Sequence, residues 1–153
     1  MLGTTAAPDS QPAAQATESR QTRLDQMVQA LVPGWTLQGE ADSPVHDGKL
    51  YKWALNPKDD KLSIWLIQYS SAIDADARLR GVRLSVGEQW VTGIGDAAFV
   101  GFVNRHGPAS LYLRVGGTYA QMFVPSSAAS PDSTAVDIAL RLGERVAPIL
   151  SER

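Results

Sequence analysis

The chain has 153 residues, 44% of them apolar and 20% charged, with a formal net charge of −2, no cysteine and two histidines. That length suits a single domain. The missing cysteine excludes disulfide frameworks, thiolate zinc sites, iron–sulfur ligation and cysteine nucleophiles, and 14 Lys+Arg against 16 Asp+Glu give no basic excess for general nucleic-acid binding.

Residues 1–18 open with MLGTTAAPDSQPAAQAT, which holds no large apolar residue after Leu2. Such a stretch cannot offset its conformational entropy by burial, so it reads as a disordered tail or a linker following a removed export signal. It lacks the charged start and apolar run of a signal peptide, and nowhere does the chain approach the roughly 18 apolar residues that span a bilayer. Residues 19–150 read as one folded domain.

From Ser19 onward, Leu24, Met27, Val28 and Leu31 fall at helical spacing, opposite Arg20, Arg23 and Asp25. This predicts an amphipathic helix stopped at Pro33-Gly34. Trp35 to Gln38 alternates as a short strand, and residues 39–48 carry turn chemistry. Lys49–Asn56 and Leu62–Tyr69 read as two strands of a hairpin across a polar turn. Ala72–Arg80 is helical, with Asp74 and Asp76 in its first turn; it ends at Gly81 or runs on to Val86. A glycine-punctuated connection then feeds a strand over 97–103. LYLRV (111–115) and TYAQMFV (118–124) flank Gly116-Gly117, a hairpin signal because glycine accepts the positive φ of primed turns. Thr134 with Asp137 resembles a capping box that starts a last helix, and Pro148 is expected to end or kink it. The order α-βββ-α-βββ-α predicts an α+β fold, an antiparallel sheet of about six strands with helices packed on it.

Few constellations carry chemistry. Gly93-Ile94-Gly95-Asp96-Ala97-Ala98 matches G-x-G-x-x-A, yet a strand follows it where dinucleotide binding needs a helix; a turn with Asp96 bonding local amides explains it better. His46 and His106 sit in turns and lie far apart in the chain. Asp96, His106 and Arg105 form a hydrolase-like set only if they converge. Asp74 and Asp76 suit a helix start better than a metal, and no metal or cofactor site is expected. Trp35, Trp53, Trp65 and Trp90, with Tyr51 and Tyr69, remain. Tyr51 and Trp53 share one face of their strand, Trp65 and Tyr69 one face of the next. If those faces coincide, Tyr51, Trp53, Trp65, Tyr69 and Trp90 form an aromatic surface able to line an apolar pocket or meet a partner; otherwise the rings fill the core.

The segment Val91-Thr92-Gly93-Ile94-Gly95-Asp96-Ala97-Ala98-Phe99, the hairpin LYLRVGGTYAQMFV and the closing stretch AVDIALRLGERVAPIL resemble, over about residues 20–150, small bacterial cell-envelope lipoproteins and extracytoplasmic sensor domains of PsbP-like α+β fold. Many of these carry a lipid-attachment cysteine and a cysteine pair. This chain has neither, so lipidation and a stapled hairpin are not carried over. The resemblance implies a periplasmic or secreted, non-enzymatic domain and transfers no catalytic residue. Three functions follow: a binding or accessory domain engaging a protein partner or an apolar small ligand, without nucleic acid; a small hydrolase-like enzyme using Asp96 and His106; or a structural interaction module.

Overall fold

The computed structural model describes residues 19–43, 47–56, 58–86 and 89–151. The tail reading of 1–18 and His46 lie outside them. Helix α1 (Arg20–Leu31) starts where the Ser19 hydroxyl accepts the Thr22 amide at 3.1 Å. It buries Leu24, Met27 and Val28 and stops before Pro33 and Gly34, whose φ is +94°. Strands β1 (Thr36–Asp42), β2 (Asp47–Ala54) and β3 (Leu62–Gln68) form an antiparallel meander. Helix α2 (Ala72–Val86) crosses the sheet to β4 (Gln89–Val91), and β5 (Ala97–Phe102), β6 (Ala109–Val115) and β7 (Thr118–Val124) form a second meander. After a short 3-10 turn at 126–128, helix α3 (Ala135–Ser151) closes the chain. One sheet results, in the order β1-β2-β3-β7-β6-β5-β4, with every neighbouring pair antiparallel.

The α+β class stands as expected, with seven strands. Residues 39–42, and Asp47 and Gly48 at the start of β2, are strand where turn chemistry was expected. As an edge strand, β1 shows one rim to solvent, so polar residues cost little there; Lys49 of β2 pairs with Asp42 at 2.5 Å and Glu40 at 3.6 Å across it. The added strand β4 is three residues long, too short for its period to be legible. Helix α2 passes Gly81 and reaches Val86. Helix α3 also continues through Pro148. Proline removes one bond, to the Glu144 carbonyl, and both residues are exposed, so water can take that carbonyl. The capping box is present: the Thr134 amide donates to Asp137 Oδ2 and the Asp137 amide to Thr134 Oγ1, each at 3.2 Å.

Strand alternation divides the interior into two cores. Trp53, Leu62, Ile64, Leu111, Leu113 and Met122 face α1 and α3, where Leu24, Val28, Leu142 and Val146 meet them. Ile67, Phe99, Tyr112 and Tyr119 face the other way, against Leu79 of α2. Helix α2 packs mainly on β5, β6 and β7 and reaches β3 through Leu79, beside Ile67, and Arg78, over Trp65.

Candidate functional site, the aromatic face under α2

The register builds this face in rows. Leu50, Trp65, Gln121, Tyr112, Phe99 and Trp90 are successive cross-strand partners from β2 to β4. Phe99 and Tyr112 stack with centroids 4.6 Å apart, and Trp90 meets Phe99 edge-on at 5.7 Å. The row on the α2 side holds Ile67, Tyr119, Arg114 and Ala97; the row on the open side holds Lys52, Ser63, Phe123, Ser110 and Gly101. Across these three rows there is no carboxylate.

Helix α2 supplies cations above the rings. The Arg78 guanidinium lies 5.8 Å from the Trp65 ring and 5.4 Å from Tyr119. Arg80 and Arg83 lie 5.2 and 5.3 Å from Trp90. Arg80 pairs with Asp76 at 2.6 Å, and Arg114 reaches Asp76 and Asp96, each at 3.2 Å. Arg80 first, then Arg114, holds the Asp76 carboxyl below its ordinary value, against burial. Arg78 and Arg83 have no carboxylate at ion-pair distance among the described residues, and the Nε of each is buried without a hydrogen-bond partner. Burial pushes the Tyr119 phenol up, with the Arg78 charge opposing; its hydroxyl donates to Gln121 Oε1 at 2.9 Å. Beside these rows Gly101, Phe102, Val103, Pro108, Ser110, Tyr112 and Phe123 line an open groove of about 230 Å³.

The five aromatic residues picked from the sequence do not share this face. Trp65, Tyr69 and Trp90 belong to it. Tyr51 and Trp53 point to the opposite core, because Tyr51 pairs with Ile64 and Trp65 with Leu50, one residue out of phase. Trp53 is fully buried and donates its indole N–H to Asp25 Oδ1 at 2.9 Å. Tyr51 is 2% exposed, and burial pushes its phenol up to about 12, helped by Glu40. Sequence reasoning missed Phe99, Tyr112, Tyr119 and Phe123, whose alternation in 97–103, 111–115 and 118–124 is visible, and Arg78, whose place above Trp65 depends on where α2 lands.

Asp96 and His106 do not converge. They flank β5, and its six residues at about 3.3 Å each put roughly 20 Å between them, far beyond a proton's reach. Asp96 Oδ2 accepts the Gly116 amide at 2.7 Å and meets Arg114, while its own amide bonds the Arg114 carbonyl at 2.8 Å. It clasps the 93–96 turn to the β6–β7 hairpin rather than bonding local amides. His106 is exposed, its amide held by Asn104 Oδ1 at 2.9 Å, and Arg105 lies near Asp137. Asp74 accepts the Ser70 hydroxyl at 3.1 Å. Among the described residues no group of three or more His, Asp or Glu is placed to hold a metal ion, and no helix is long and apolar enough to cross a membrane.

A cleft of about 270 Å³ lies on the other side of the sheet, where Leu31, Trp35, Ile138 and Arg141 meet. Its cation is engaged, Arg141 donating to Ser133 Oγ at 3.3 Å. The aromatic face is the stronger candidate because it joins partly exposed rings to unpaired charge. No family model, curated protein or solved structure matches the chain.

Proposed function

We propose that the protein is a non-catalytic, extracytoplasmic binding or accessory domain, and that it engages a protein partner or an apolar small ligand through the part of the aromatic face that α2 leaves open. One observation carries this reading: a carboxylate-free sheet face with Trp65, Tyr112 and Phe123 in adjoining rows is covered by α2 mainly on β5, β6 and β7, and Trp65 and Phe123 stay partly exposed. Aromatic surface of this kind is where interfaces and ligand sites concentrate their energy. The PsbP-like, envelope-type resemblance, carried by Val91–Phe99, the hairpin LYLRVGGTYAQMFV and the closing stretch AVDIALRLGERVAPIL, supports the extracytoplasmic placement.

Amide and side-chain resonances of the isotope-labelled protein, titrated with an extract of envelope lipids and proteins, test the reading. Perturbations gathered at Leu50, Lys52, Trp65, Ser110, Gln121 and Phe123 are the expected result. A titration that leaves those six unmoved overturns it.

A further inference from the structure

We infer that the open face takes an anionic amphiphile, a medium-chain carboxylate whose head pairs with Arg78 and whose tail lies along Phe123 and Tyr112 into the 230 Å³ groove. The inference deepens the binding reading above and rests on it. Its ground is charge complementarity. The three rows hold Lys52 and Arg114 and no acid; Arg114 is satisfied by Asp76 and Asp96, and Lys52 is exposed at the margin. Arg78 and Arg83 are both held over rings without a carboxylate partner among the described residues; of the two, Arg78 lies over Trp65, which neighbours Gln121 in the middle row.

A guanidinium held over two rings on one sheet face has lost part of its water and much of its freedom. A planar carboxylate can then take two parallel N–H bonds from it without reordering a flexible side chain. Gln121 adds a second donor. Its Oε1 is occupied by the Tyr119 hydroxyl, which leaves the Nε2 end of the amide, and Gln121 sits between Trp65 and Tyr112 in the same row. Beyond Gln121 the surface turns apolar through Phe123, Pro108 and Val103, which is 98% exposed. Head and tail of one ligand would therefore meet matching chemistry in sequence. A nucleic-acid strand fits less well: it needs a track of cations along its backbone beside the stacking rings, and here Arg78 and the marginal Lys52 are separate charges rather than a track.

Decanoate, its methyl ester and an eight-residue oligothymidylate, each titrated below self-association into the labelled protein, separate the alternatives. Expected are saturable shifts at Trp65, Gln121, Tyr112 and Phe123 with decanoate, and a roughly tenfold weaker affinity in Arg78→Gln that Arg78→Lys partly restores. The ester should bind equally to the wild-type and Arg78→Gln proteins. If decanoate and ester bind alike and Arg78→Gln changes neither, the head-group assignment fails while the open face stands as a binding surface. Tighter binding of the oligonucleotide than of decanoate, or no shift with decanoate, also overturns the inference; the envelope-extract titration then decides the wider reading by itself. Unchanged amide dispersion in both Arg78 variants controls for folding.

Discussion

Gly143 of α3 lies so close to Leu111 of β6 that a Cβ at position 143 would collide with Leu111 Cδ2 and come within 3.1 Å of Ile94 Cγ2. Helix α3 approaches the sheet closely at this residue. Ile94, the middle of the glycine turn, is 3% exposed and wedges into the same contact.

Gly143→Ala should therefore destabilise the fold by about 1–3 kcal/mol through overpacking, even though alanine is the better helix former. Gly81 in α2 is the counter-case. It is helical and exposed, with nothing within 4 Å of its Cβ position. Gly81→Ala should stabilise by about 0.5–1 kcal/mol. Urea midpoints of the two variants, compared with wild type, must move in opposite directions.

Trp53 and Asp25 give a second test. Asp25→Ala leaves the fully buried indole N–H of Trp53 without its 2.9 Å acceptor, a loss of about 1–3 kcal/mol. Asp25→Asn keeps an oxygen there and should cost less. Equal destabilisation in the two variants would assign the effect to something other than the indole bond.

How far the sequence disclosed all this follows from the range of each signal. Helix α1 was legible because Leu24, Met27, Val28 and Leu31 repeat at one spacing and Ser19 can cap them. Turn β6–β7 was legible because Gly116 takes a φ of +57°. Strand β4 and the last residues of β1 were not. They are strand only because β5 and β2 pair with them, which no local pattern encodes. The site divided the same way. Periodicity placed Tyr51 with Trp53 and Trp65 with Tyr69, but whether two strands present the same face is set by register. The position of Arg78 above Trp65 depends on the path of α2, a tertiary fact.

The glycine turn answers to substitution in a way a nucleotide loop would not. Gly95 has a φ of +58°, and a Cβ there would lie 2.7 Å from the Arg114 carbonyl oxygen. Gly95→Ala should cost about 1–2 kcal/mol from its left-handed backbone alone, and more from the collision. Gly93 has a φ of +84° but open space around it, so Gly93→Ala should cost only the backbone part. Denaturation midpoints that rank Gly93→Ala below Gly95→Ala would contradict the close approach to β6.

Acid titration tests the carboxylate network. Asp76, held low by Arg80 and Arg114, and Asp137, held low by the Thr134 amide and hydroxyl, both have folded values below the unfolded value of about 3.9. A depressed folded value means the unfolded chain takes up protons first as pH falls. Their stabilisation is therefore complete above about pH 4–5 and is lost as pH drops through the folded values. Thermal midpoints should be insensitive to these two groups between pH 6 and 7 and should fall below about pH 4. Asp76→Asn should lower the midpoint at pH 7, because Arg114 then loses one of its two carboxylate partners among the described residues and keeps Asp96 and the Gly116 carbonyl, and should flatten the decline in acid. A variant curve running parallel to wild type down to pH 3 would show that Asp76 carries none of the acid sensitivity.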